Sequence, residues 1–217
     1  MHDRRHFLGQ LGAVAAAFAV DPGELRAAAQ SSSGPWDTTW LDRLAKAQYR
    51  VVFNASDISD GAVLSYASTF LEDFHTVHGT TDSQTRAVIV FRRLGIPMAL
   101  NDRIWERYAI GDDTKVKDPN THAPATRNPF WQPRRGATGW EAQTALEPLE
   151  ARGVISLVCN EALGNWASGA AERVKRDPDA VKAEWRANLI PGAILVPSGI
   201  YALIRAQNAG CAYMQGT

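Results

Sequence analysis

Several features that would announce a function are missing from this chain. Only two cysteines stand among 217 residues, Cys159 and Cys211, too few for a disulfide scaffold. No C-x-x-C-H occurs, so covalent haem is excluded. No phosphate-cradling glycine fingerprint follows the first apolar run, so a dinucleotide site has no support. Basic and acidic residues number 23 each, and no basic run breaks that neutrality, which argues against nucleic acid as a partner. His75 and His78 lie three apart with no third ligand near them in sequence, so they are expected on a solvated helix edge, and no metal or cofactor is predicted. The longest apolar segment, Leu11 to Val20, is well short of the ~20 residues that span a bilayer.

That segment has another use. Arg4 and Arg5 precede Phe7 and Leu8, the apolar segment follows, and Ala27, Ala28 and Ala29 offer a small-residue cleavage site. The order is that of a twin-arginine export signal, which places the expected location in the periplasm. Residues 1–29 are therefore set apart from the fold. They hold three bases (Arg4, Arg5, Arg26) and three acids (Asp3, Asp21, Glu24), so the remainder stays neutral. Residues 30–48 read as a linker and a leading helix, and residues 49–217 as one domain with a core of its own.

Within the domain, apolar runs alternate with helical patterns. Residues 49–56 ("YRVVFNAS") and 85–91 ("TRAVIVF") predict strands, as do "VISLVC" ending at Cys159, "GAILVPS" and "CAYMQG". Between them, Val63, Ala67, Phe70, Phe74 and Val77 fall at helical spacing, with Asp60 as the expected N-cap and Gly79 as the stop. A helix is predicted from Ile96 to Gly111 with Pro97 in its first turn, and others from about Trp140 to Arg152, from Glu161, from Pro178 and from Gly199 to Gly210. Strands that are continuously apolar belong to a sheet covered on both sides. The expected fold is a three-layer α/β/α domain with a mostly parallel sheet of about five strands. Residues 112–139, proline-rich and aperiodic, interrupt the alternation. Phe130 and Trp131 within them predict an ordered segment over the crevice or a subunit contact.

Open parallel sheets bind ligands beyond the carboxyl ends of their strands. Cys159 is at such an end, where Asn160 and Glu161 suit the start of a helix whose dipole favours a thiolate. Asn54 and Ser198 at strand ends, Asn160 just past one, and Asn101 and Asp102 in the helix after the second strand are the candidates to contact a substrate there. Asp102, Trp105 and Tyr108 fit equally well as plain helix residues, and capping alone accounts for Ser198. Cys211 should begin its strand while Cys159 finishes its own. Parallel strands then hold the two ~17 Å apart, beyond the ~7 Å that a disulfide allows. A free thiol is expected.

The stretches "LEARGVISLVCNEAL" and "LIPGAILVPSGIYALIRAQNAGCAYM" resemble the DsrE/DsrF-like family of sulfur-relay proteins, and "AVIVFRRLGIPMALNDRIWERYAIG" resembles its exported members. The resemblance spans about residues 49–217. It implies the same fold, a homo-oligomer, and Cys159 as the acceptor of sulfane sulfur from a small sulfur compound or a partner relay protein. The alternative is a non-catalytic periplasmic binding or assembly module in which Cys159 only packs.

Overall fold

The computed structural model describes residues 36–217; the export segment and most of the linker lie outside them. The leading helix, α1, is Trp40–Ala45. Strands β1 (Tyr49–Ala55), β2 (Thr85–Phe91), β3 (Ile155–Cys159), β4 (Ile194–Val196) and β5 (Ala212–Gln215) form one sheet of order β4-β3-β2-β1-β5. Every pairing in it is parallel. The longer helices are α2 (Ala62–His78), α7 (Asn160–Val174), α8 (Pro178–Arg186) and α9 (Gly199–Asn208). Four short ones lie between β2 and β3: α3 (Asp102–Arg107), α4 (Ile110–Thr114), α5 (Gly139–Gln143) and α6 (Leu146–Ala151).

Strands β1, β2 and β3 are buried on both sides because alternate residues feed two separate cores, whereas the edge strand β5 is exposed. Val51, Phe53, Ala87, Ile89, Phe91 and Val158 pack with α2 and α7 on one face. Val52, Val88, Val90, Ile155, Leu157 and Val196 pack with α1 and α9 on the other. Each of the larger side chains contributes roughly 1.5–3 kcal/mol by leaving water. The expected three-layer α/β/α architecture is the one observed.

Three expected helices differ in detail. The run from Ile96 to Gly111 is broken rather than continuous. A 3₁₀ segment, Arg93–Ala99, ends at Leu100, which is extended (φ −99°, ψ 143°). Leu100 pairs with Leu189 in an isolated bridge, and the Ile190 N–H donates to the Ala99 carbonyl. Asn101 then caps α3, its side-chain oxygen accepting from the Ile104 N–H. The predicted helix over 140–152 is likewise two, because Ala145 is extended and the N–H groups of Leu146 and Glu147 donate to the carbonyls of Phe130 and Trp131. In α2 the cap is Gly61 at φ 79°, not Asp60, which sits at φ 51° in the preceding turn. The buried stripe of that helix is Val63, Leu64, Ala67 and Leu71. Val77, at 72 % exposure, lies outside it.

The aperiodic segment 112–139 is tied to the body by named contacts. Asn128 is buried and donates to the carbonyls of Met98 and Leu100, while Phe130 packs against Trp105. Asp118 accepts from the N–H groups of Asn120 and Thr121, which holds its carboxyl below the ordinary range.

Candidate functional site

The order of the strands decides where a crevice opens. After β1 and β3 the chain enters helices on one face of the sheet, α2 and α7; after β4 it enters α9 on the other. Strands β3 and β4 are neighbours. Chain leaving them splits toward opposite faces, which makes this the topological switch point of the sheet, the position where such folds bind ligands.

Cys159 and Ser198 flank the split. Cys159 ends β3 with an extended backbone and is itself the N-cap of α7, its Sγ accepting from the Ala162 N–H at 3.4 Å. Ser198 caps α9 in the same manner, its Oγ accepting from the Tyr201 N–H at 3.1 Å. Two helix N-termini, each carrying partial positive charge, therefore open on one cleft of about 380 Å³. Cys159 is 5 % exposed, so its thiol meets the cleft through a narrow window.

The rest of the cleft comes from three elements. Arg92, Arg93 and Leu94 follow β2; Glu161, Asn165 and Trp166 project from α7; Gly199 and Ile200 begin α9. The Trp166 indole N–H donates to the Arg93 carbonyl at 2.7 Å, which fixes the ring as one wall. Arg92 lies across the start of α9, so close that a Cβ on Gly199 would stand 3.0 Å from the Arg92 Cβ and Cδ. Neither Arg92 nor Arg93 has an ion-pair or side-chain hydrogen-bond partner among the described residues, and neither does Glu161. Two free guanidinium groups and two helix ends outweigh one carboxylate, so the cleft favours an anion.

Of the residues expected at the crevice, Cys159 and Ser198 share the cleft and the others do not line it. Asn160 turns away, its side-chain oxygen accepting from Arg186 at 2.6 and 2.9 Å. Asn54, buried at the end of β1, donates to the Tyr213 hydroxyl and to Gln215. Asn101 caps α3 and donates to Asn188. Asp102 accepts from Arg127 and from the Asn128 N–H, fastening the 112–139 segment. Trp105 is fully buried and Tyr108 bonds Glu184, so both belong to the core. The 112–139 segment does not line the Cys159 cleft; it lines other cavities, one of which shares Leu94 and Trp166 with that cleft. Sequence reasoning missed Arg92, Arg93, Trp166 and Ile200. A signal for the first two existed: they follow β2 directly, at the same end of the sheet as Cys159.

Both cysteines are free. Three strand spacings separate β3 from β5, ~14 Å sideways alone, before the opposite ends are counted. No group of three metal-ligating side chains occurs among the described residues, and His75 Nε2 lies 3.3 Å from the Asp82 carboxylate instead. No helix among the described residues is long and apolar enough to cross a membrane.

Comparison with known proteins adds little to this geometry. No family model matches the chain, and no curated protein matches it. Among solved structures, the chain is similar to a protein of unknown function, MTH1491 from Methanobacterium thermoautotrophicum, at 18 % identity and a TM-score of 0.38, over 77 % of this chain and 98 % of that one.

Proposed function

We propose that this protein is an exported sulfur carrier, of sulfurtransferase type, that holds sulfane sulfur as a persulfide on Cys159. The observation that supports it best is the position of the Cys159 thiol: at the switch point, accepting a helix N–H, beside a cleft with two unpaired arginines. In the reaction the Cys159 thiolate attacks the outer sulfur of a donor. The donor's S–S bond breaks, its remainder leaves with the electron pair, and a new S–S bond forms on Cys159. The terminal sulfur of the product carries negative charge, which the start of α7 and the guanidinium groups of Arg92 and Arg93 would hold. Ser198 would add a hydroxyl donor at the same edge. The resemblance to the DsrE/DsrF-like family, the twin arginines Arg4 and Arg5, and a homo-oligomeric state belong to the same proposal.

Intact-mass measurement after exposure to inorganic polysulfide tests it. The protein should gain ~32 Da, reductant should remove the gain, and Cys159→Ser should never acquire it. Serine is a stronger N-cap than cysteine, so the variant keeps α7. A wild-type protein that takes up no sulfur, with Cys159 inert to alkylation until unfolded, would leave the binding or assembly module as the function.

A further inference from the structure

Resting on that sulfur-carrier reading, the shape and charge of the cleft narrow the donor. We infer that it takes an organic persulfide, R–S–SH, whose R group carries carboxylates on a small peptide-like body, rather than an inorganic sulfur anion.

Size comes first. A volume of about 380 Å³ falls in the range of pockets that enclose ligands of many heavy atoms, far beyond a few sulfurs and oxygens. Chemistry comes second. Leu94 and Ile200 are 54 % and 58 % exposed, and with the Trp166 ring they offer an apolar wall that an inorganic anion cannot use. The charges come third. The Arg92 and Arg93 side chains have no hydrogen-bond or ion-pair partner among the described residues, and guanidinium groups bind carboxylates in a planar, bidentate manner. Glu161, equally free, stands in the same cleft and suits an ammonium. Two cations and one anion around an apolar wall match a zwitterionic thiol with two carboxylates and one amine.

The chemistry balances with no outside oxidant. The Cys159 thiolate attacks the terminal sulfur of R–S–SH, the donor's S–S bond breaks, and R–S⁻ leaves and takes the proton that Cys159 gave up. The products are the Cys159 persulfide and R–SH.

The test separates this inference from the reading beneath it. Isothermal titration of Cys159→Ser with S-methylglutathione, an unreactive probe with two carboxylates and one amine, should give saturable binding. Replacing Arg92 and Arg93 together by Gln in that background should weaken it roughly tenfold or more, as expected for lost charge-assisted bonds. In the wild type, uptake from glutathione persulfide should saturate and run roughly tenfold faster than from cysteamine persulfide, which is cationic and has no carboxylate. Circular dichroism confirms that the arginine variants fold. Absent binding, or equal rates from the two persulfides, with polysulfide still loading Cys159, overturns the donor class and leaves the carrier intact. No loading from any donor overturns both, whatever the titration shows.

Discussion

Cys159 and Cys211 are the same residue in the same sheet, 5 % and 7 % exposed, yet the fold treats them in opposite ways. Cys159 closes β3 at the carboxyl end, receives the Ala162 N–H and faces a cleft. Cys211 precedes β5 at the amino end, packed with Val52 and Ala206. Burial pushes its thiol up to about 11, against the weaker pull of Arg50. Burial alone therefore does not distinguish the two thiols. What differs is the end of the strand, because helices begin at one end of a parallel sheet and finish at the other.

The sharpest way to break that contrast is alkylation of the native protein. At pH 7.5 roughly three in ten thousand Cys211 thiols are ionised, given a pKa of about 11. Iodoacetamide should label Cys159 at least about a hundredfold faster than Cys211. Peptide mapping after short exposure measures the ratio. Comparable labelling, or a Cys211 that reacts first, would end the distinction between the two ends. Cys211→Ser should leave sulfur uptake on Cys159 untouched.

The two ends also differed in how far sequence could reach them. Strand β2 has the predicted bounds, Thr85–Phe91, and β3 ends at Cys159 as expected, because a continuous apolar run carries its own boundaries. The breaks at Leu100 and Ala145 were hidden, since distant partners set them: Leu189 for the first, Phe130 and Trp131 for the second. Cys159 was legible because a strand-to-helix junction is local. Its neighbours Arg92 and Ile200 were not, because β2 and β4 come to lie beside β3 only through the sheet order. Asn101 and Asp102 lie away from the cleft for a physical reason: polar residues are also what a chain uses to cap helices and fasten loops, while Asn54, inside β1, bonds Tyr213 and Gln215 of β5.

The second prediction concerns the carboxyl end away from the cleft. A Cβ on Gly111 would stand 2.3 Å from the Ala125 carbonyl oxygen and 2.4 Å from its nitrogen. Backbone must move to admit it, so Gly111→Ala should cost about 2–3 kcal/mol as overpacking. It should also loosen the 112–139 segment, whose native form should resist trypsin at Arg127 and Arg134. Denaturant unfolding and limited proteolysis read the two effects. A variant of native stability with the segment still protected would mean that Gly111 and Ala125 are not in contact.

Gly199→Ala should act on the site more than on the fold. Gly199 is buried, and an added Cβ would meet Arg92 at its Cβ and Cδ, so that residue must give by a few tenths of an ångström. Stability should fall by about 1 kcal/mol as mild overpacking, while sulfur uptake by Cys159 falls several-fold. Unchanged uptake would remove Arg92 from the site.

The smallest expected effect returns to the amino end of β3. Glu150, on α6, has one carboxylate oxygen with no hydrogen-bond partner. Burial pushes its carboxyl up to about 6, with Ser156 and then Arg43 pulling the other way. Because the folded value exceeds the unfolded 4.5, the native state holds the extra proton between those limits, and stability falls as pH rises from about 4.5 to 6. Above pH 6 the charged carboxylate costs the fold about 1 kcal/mol once screening by solvent is allowed for. Glu150→Gln should recover that amount at pH 7 and nothing at pH 4. Paired urea titrations at the two pH values measure it, and an equal gain at both would assign the effect to packing instead of charge. Cysteine reactivity serves as the control: relieving strain at the amino end should leave Cys159 alkylation unchanged, because the two ends share a sheet but no side-chain contact.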